Sequence, residues 1–388
     1  MTVRYFWGLL VAAMVGHHVS AQSTPERTID EIKVETQARA ERGAYPLTGL
    51  DPTDVREALA NITTRDRDEW AAAWGAVADR YDRAAAAATS MEDRRTNYLR
   101  AWRLHYFAQW PVAASAGKKA AYIKALDPPL QVVRIPFEGK EIVGYLRLPP
   151  ATARPAPVVL AVSGLDSRKE NLAESYAALL EHDIGFFAID GPGTGQSPVK
   201  VSPTADRVLS RVIDYLAERR DIDPKRIVMH GVSFGGYWGA KLAIVEKDRL
   251  RGVVVQSPPV HGFFQPDFVR SSLLGNREYL FDIIPAFLSV VEDVQTADDL
   301  VREFPKLSLV AQGLLGRPTT SMLVIAGVND TQVPISDIDM LLHSGDVPKD
   351  AWINPRGGHL GRERTGWTDP VIFRNVIVPW EIRVLQGN

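Results

Sequence analysis

The chain has 388 residues, 45% of them hydrophobic and 24% charged, with a formal charge of −2 at neutral pH. That balance describes a globular chain long enough for one large domain with an appendage, or for two domains. It lacks the basic face that nucleic-acid binding demands, and with no cysteine it can form neither a disulfide nor a lipidated N-terminal thiol.

Arg4 precedes an apolar run from Tyr5 to Val15, and Val19-Ser20-Ala21 offers small residues where a signal peptidase reads. The pattern predicts a secretory signal peptide over residues 1–21 and an exported protein, periplasmic or secreted. The run is short for a membrane span, so no stable membrane insertion of the mature chain is expected.

Residues 22–127 read as an N-terminal helical domain. Asp66 to Ala88 and Glu92 to Gln109 carry Trp70, Trp74, Val77 and Tyr81, then Tyr98, Trp102 and Tyr106, at helical spacing. Such a stripe is expected to be core between packed helices. Gly43 to Pro52 predicts a break, and Ser90 with Asp93 a capping box. Residues 128–388 read as the catalytic domain. Val132 to Phe137 and Glu141 to Leu148 alternate like a hairpin around Glu138-Gly139-Lys140, and Pro136 assigns the first strand to an edge. From Val158 onward buried strands alternate with helices: Val158–Val162, Gly185–Ile189, Ile227–Met229, Gly252–Val255, Met322–Ala326 and Ala351–Ile353. This predicts an α/β fold, a doubly wound and mostly parallel sheet. The alternation lapses over about 257–320, where Phe263, Phe264, Phe268, Phe281, Ile283, Ile284 and Phe287 predict a helical cap insertion. Val371 to Leu385 is expected to close the chain as a helix, kinked or begun at Pro379.

Gly231-Val232-Ser233-Phe234-Gly235 lies between a strand and a helix-compatible run, the setting in which G-x-S-x-G forms a nucleophile elbow. A serine needs a base in reach and a third group to orient that base. His359, in the loop after the last strand, is the candidate base. His17 and His18 leave with the signal peptide, His105 belongs to the helical domain, and His182 and His343 end helices. His230 is expected to point into the neighbouring layer, and His261 to reach the site only from the cap. Asp330, after the strand ending at Ala326, is the candidate acid; Asp337 and Asp339 lie further on, within a helix. The order Ser233, Asp330, His359 is that of an α/β-hydrolase. Phe234 and Leu165, with Gly164 as neighbour, are the expected backbone donors to an oxyanion. Asp190-Gly191-Pro192-Gly193-Thr194-Gly195 has neither G-x-G-x-x-G spacing nor a G-K-[ST] ending and reads as a structural turn. No histidine and carboxylate cluster has metal spacing, so neither cofactor nor metal is expected. The expected partner is a small-molecule substrate; a homodimer is allowed without being demanded.

Gln131 to the C-terminus resembles an α/β-hydrolase. Tyr98-Leu99-Arg100-Ala101, Phe107-Ala108-Gln109-Trp110, the run from Ser163 to Glu170 (SGLDSRKE) and Asp190-Gly191-Pro192-Gly193 narrow the likeness. They are similar to the family of 2,6-dihydroxypseudooxynicotine hydrolase and the fermentation–respiration switch esterase, with fungal heptaketide pigment hydrolases as relatives. The resemblance implies that Ser233, Asp330 and His359 form a triad and that the helical domain packs over the site. It further implies cleavage of a carboxylic ester or of a carbon–carbon bond beside a ketone. The second reaction benefits from an additional acid, yet Gln256-Ser257-Pro258-Pro259-Val260-His261 holds no carboxylate before Asp267. An exported serine hydrolase acting on an ester through an acyl-enzyme is therefore the expectation, with carbon–carbon hydrolysis the alternative. The signal peptide departs from cytoplasmic relatives.

Overall fold

The computed structural model describes residues 27–125, 131–150, 155–273 and 283–387. The expected signal peptide (residues 1–21), Pro128-Pro129 and Phe281 lie outside them. Among the described residues no helix is long and apolar enough to cross a membrane.

Five helices come first: α1 (Ile29–Glu41), α2 (Pro52–Ala60), α3 (Arg67–Ala87), α4 (Met91–Gln109) and α5 (Ala116–Lys124). Their starts are written in the sequence. Thr28, Asp51, Asp66, Ser90 and Ser115 each cap a helix by accepting a backbone N–H in the first turn. Trp70, Trp74 and Phe107 form the centre of this layer, with Trp74 edge-on to Phe107 at 4.7 Å between centroids. The predicted stripe is therefore core at Trp70, Trp74 and Val77. It is not core at Tyr98, which is 52% exposed because the first two turns of α4 face solvent.

The sheet has eight strands in the order β1-β2-β4-β3-β5-β6-β7-β8: β1 (Gln131–Phe137), β2 (Lys140–Arg147), β3 (Ala156–Val162), β4 (Gly185–Ile189), β5 (Ile222–Val232), β6 (Gly252–Gln256), β7 (Met322–Gly327) and β8 (Asp350–Asn354). β1 and β2 pair as a hairpin whose turn residues, Glu138 and Gly139, both take positive φ. Pro136 falls in the edge strand, where its missing N–H interrupts no central ladder. The strands from β3 to β8 are mutually parallel. Every residue of β3, β4, β6 and β7 is buried, as both faces of a covered parallel sheet require. Helices α6 (Lys169–Tyr176), α7 (Arg207–Glu218) and α8 (Phe234–Val245) connect the strands. The cap holds the one-turn α9 (Pro266–Phe268), then α10 (Ile284–Val290) and α11 (Ala297–Glu303). α12 (Ile335–Leu342) follows β7.

At the C-terminus the last helix begins at Val378-Pro379, one of the two expected outcomes, and further helical turns precede it. The stretch runs as α13 (Asp369–Ile372), a wide π turn over Phe373–Ile377, and α14 (Val378–Gln386). Pro379 has no N–H for the helical ladder, and the widened turn before it absorbs that gap.

α14 also buries a carboxyl group. Glu381 is fully buried, 3.8 Å from His230 Nδ1, while that nitrogen is engaged by the Tyr176 hydroxyl. Burial pushes the Glu381 carboxyl well above the usual range, and burial likewise pushes His230 down to about 3 against a hydrogen bond from Gln256. Burial thus opposes the charged form of both groups. Because the folded Glu381 pKa lies above the unfolded one, its full stability is present below about pH 4.3 and is lost as pH rises toward the folded value, at about 1.4 kcal/mol per pH unit. Glu381→Gln is expected to raise the melting temperature at pH 8 and leave it unchanged at pH 4. Parallel pH profiles for the two proteins would show that the carboxyl carries no such penalty.

Candidate active site

Ser233 sits at the turn between β5 and α8 with φ 55° and ψ −118°. A non-glycine residue there is strained, and the neighbouring glycines make the strain bearable. A Cβ on Gly231 would collide with the Gly235 carbonyl; one on Gly235 would lie 2.5 Å from Val162 O and 2.6 Å from Ser163 O. Gly231 is thus required by the tightness of the turn itself, and Gly235 by the approach of the elbow to the end of β3. Ser233 N–H donates to Gln256 O at 2.8 Å, tying the elbow to the end of β6.

His359 Nε2 lies 2.8 Å from Ser233 Oγ, and its Nδ1 lies 2.9 and 3.1 Å from the two oxygens of Asp330. Asp330 is acceptor-only when ionised, so Nδ1 carries the proton and Nε2 is left to accept from the serine hydroxyl. Asp330 Oδ1 also accepts the N–H groups of Gln332 (2.8 Å) and Val333 (3.0 Å). Burial pushes the Asp330 carboxyl up, but His359 and these two N–H groups outweigh it and hold the group below the usual carboxylate range. The three side chains named from the sequence are brought together, although 126 residues separate Ser233 from His359.

The loop carrying His359 is pinned from β6. Leu360, at φ 64°, donates its N–H to Ser257 Oγ at 2.8 Å, and Gln256 Nε2 donates to Leu360 O at 2.9 Å. Asn354 Nδ2 holds Gly361 O at 2.9 Å. Sequence reading assigned Gln256 and Ser257 no part; a polar pair ending a buried strand was the available signal.

The other histidines fall elsewhere. His230 faces Tyr176 on the far side of the strand, as expected. His261 Nδ1 pairs with Ser308 Oγ at 2.7 Å inside the cap. His105 Nε2 pairs with Asp82 at 2.7 Å, and with Asp79 it forms a group of ligand-type atoms within 4.8 Å of one another that linear spacing did not reveal. Lys124 already pairs with Asp79 there, so the charge of this group is partly met by protein. Asp337, the weaker candidate acid, has a structural partner set instead. Its carboxylate accepts the N–H groups of Val260, His261, Gly262 and Phe263 at 2.6–3.3 Å, anchoring the start of the cap. Asp337→Ala is expected to destabilise the fold by about 3 kcal/mol, since buried donors are left unmet. A urea midpoint equal to that of wild type would contradict this.

Phe234 is the first residue of α8, so its N–H has no preceding turn to serve it. Its ring turns into the cap, 5.9 Å from Phe287, 6.4 Å from Phe264 and 6.5 Å from Phe263. Leu165 lies in the loop after β3. Its neighbour Gly164 is so close to the elbow that an added Cβ would stand 3.3 Å from Ser233 Cβ, and Gly164 N–H is engaged by Ser167 Oγ at 2.8 Å.

The predicted Asp190 turn is structural, but it does more than turn the chain. Asp190 accepts from Lys169 Nζ (2.8 Å), Lys169 N (3.0 Å) and Gln196 N (2.9 Å), and Lys169 Nζ also meets Glu170 at 2.8 Å. Burial pushes Asp190 up, yet the Lys169 and Arg168 charges hold it below the usual range. Burial and the Asp190 charge push Glu170 the other way. The helical layer reaches this network through Tyr122, whose hydroxyl is 3.3 Å from Asp190, and Tyr106, whose hydroxyl donates to Asp166 O at 3.2 Å. On the His359 side, the Arg362 guanidinium lies 5.0 Å from the Tyr45 ring centroid.

A strained serine above a mostly parallel sheet, with a histidine and an aspartate presented from the loops after β8 and β7, defines an α/β-hydrolase fold. Residues 56–352 match the model of the family described as "Esterase FrsA-like", and the chain belongs to that family. It is 29% identical over 260 residues to the hydrolyase poxO of Penicillium oxalicum, covering 59% of this chain and 60% of that protein. The chain therefore spans about three-fifths of that relative's length. To the esterase FrsA of Vibrio vulnificus it is 24% identical over 354 residues, covering 82% of this chain and 83% of the other. Among solved structures, 2,6-dihydroxy-pseudo-oxynicotine hydrolase superposes with a TM-score of 0.68 at 20% identity, over 90% of this chain and 95% of that one. AbyA5 does so with a TM-score of 0.70 at 18% identity, over 93% and 95%. Both likenesses speak for the fold.

Proposed function

We propose that the protein is a serine hydrolase that cleaves a carboxylic ester of a small-molecule substrate through an acyl-enzyme. The carrying observation is the unbroken chain Ser233 Oγ–His359 Nε2 at 2.8 Å and His359 Nδ1–Asp330 at 2.9 Å. His359 takes the serine proton as Ser233 attacks the acyl carbon. Asp330 holds the ring and stabilises the imidazolium that forms, and the N–H groups of Phe234 and Leu165 receive the oxyanion. His359 returns the proton to the leaving alcohol; a water then attacks the acyl-enzyme by the same route. The aromatic cap around Phe234 favours an apolar group on the substrate.

Ester cleavage needs no acid beyond His359. Carbon–carbon cleavage beside a ketone must protonate a carbanion, and the first carboxylate after β6, Asp267, is exposed. Ser257 is likewise engaged, with Leu360. A fluorophosphonate probe is expected to label Ser233, and turnover is expected on p-nitrophenyl esters but not on aryl β-diketones. Absence of labelling would end the serine-hydrolase reading, and turnover on diketones alone would replace ester cleavage with carbon–carbon cleavage.

Export belongs to the same proposal, supported by the apolar run and the small residues before Ala21. Fusion of residues 1–25 to alkaline phosphatase is expected to give periplasmic activity; a fusion that stays inactive inside the cell would contradict it.

A further inference from the structure

We infer that Arg168 is a positioning residue for the oxyanion hole, through which the helical domain completes the active site; this rests on the serine-hydrolase reading above. The donor in question is the Leu165 N–H, carried on the peptide that joins Gly164 to Leu165. The structure fixes the peptide units on both sides of it. Upstream, Gly164 N–H donates to Ser167 Oγ at 2.8 Å. Downstream, Leu165 O accepts from Arg168 Nη1 at 3.0 Å, and the same nitrogen donates to Ser167 O at 2.6 Å. Turning this peptide requires opposed changes in ψ of Gly164 and φ of Leu165, and the hydrogen bonds on its two flanking units oppose them, which favours one direction for its N–H.

The other end of the guanidinium reaches into the helical domain. Arg168 Nη2 donates to Pro111 O at 3.0 Å and lies 3.5 Å from Gln109 Oε1. Arg168 is 1% exposed, and its four hydrogen-bond acceptors are neutral oxygens drawn from two parts of the chain. A planar fork spans such a set; an ammonium on a flexible stem does not. Tyr106, donating to Asp166 O, braces the same loop from α4. The segment α4–α5 is thereby part of the oxyanion-hole scaffold as well as a cover, and Arg168 and Tyr106 join the two.

The test compares wild type with Arg168→Lys, Arg168→Met and Ser167→Ala. The readouts are kcat and KM on p-nitrophenyl butyrate and the inhibition constant of an alkyl trifluoromethyl ketone. That ketone adds Ser233 to form a tetrahedral oxyanion, so its affinity reports the hole separately from ground-state binding. Both Arg168 variants are expected to lose about 100-fold in kcat with KM within twofold of wild type, and ketone affinity is expected to fall by the same factor as kcat/KM. Lysine is expected not to rescue, because geometry rather than charge is lost. Arg168 variants with kcat and ketone affinity within threefold of wild type overturn the inference. Should neither Arg168 variant fold, Ser167→Ala decides: it frees the other flank of the same peptide and is expected to lower kcat and ketone affinity together by about tenfold, and unchanged values overturn the inference. A wild type that neither labels with fluorophosphonate nor cleaves the ester removes the serine-hydrolase reading itself, an outcome distinct from active wild type with active variants.

Discussion

Ser233→Ala is expected to lower kcat on p-nitrophenyl esters by about 10⁵–10⁶-fold and to abolish fluorophosphonate labelling, with KM little changed. The loss is large because no neighbour can take the role. His359 Nε2 has its hydroxyl partner at 2.8 Å and would face an alanine methyl instead. The fold should survive, since Ser233 contributes its backbone to the elbow: its N–H donates to Gln256 O, and its carbonyl accepts from Gly236 and Tyr237. Alanine tolerates φ 55° no better than serine, so any change in melting temperature should be small. Residual activity within tenfold of wild type, at unchanged stability, would falsify the assignment of Ser233 as nucleophile.

The convergence of Ser233, His359 and Asp330 was legible because each sits at a punctuation mark in the pattern. Ser233 lies between a buried strand and a helix of small residues, Asp330 just past β7, and His359 in a glycine-rich loop past β8. The parallel sheet was legible for a related reason, as strands buried on both faces read as unbroken apolar runs. What escaped was everything decided by a side chain crossing from one element to a distant one. Arg168 and Lys169 are adjacent basic residues in the run from Ser163 to Glu170, and only the fold shows both fully buried against oxygen acceptors. Asp337 carries four backbone N–H groups from the cap, a role that no local pattern announces. Glu381 falls on the buried face of α14, where helical periodicity alone would place an apolar residue.

Asp330→Asn is expected to reduce kcat by about 10⁴-fold while leaving the fold intact, because it breaks the tautomer and preserves the shape. Oδ1 of Asp330 accepts from Gln332 N and Val333 N, and asparagine can keep its own carbonyl oxygen there. Its amide nitrogen then faces His359 Nδ1, which must become an acceptor. The ring proton moves to Nε2, and the ring can no longer receive the proton of Ser233. Labelling by fluorophosphonate should slow by a similar factor, since the probe needs the same proton transfer. The charge itself has a second, measurable consequence. Because the Asp330 carboxyl is held below its ordinary range, the stability it contributes is present above the unfolded value of about 3.9 and is lost as pH falls through the lower folded value. The amide of the Asp330→Asn variant has no such titration, so the stability gap between wild type and variant should narrow as pH is taken from 6 to 3. An asparagine variant that keeps more than a tenth of wild-type kcat would show that the carboxylate does not orient His359, and a gap independent of pH would show that its charge does not help to hold the fold.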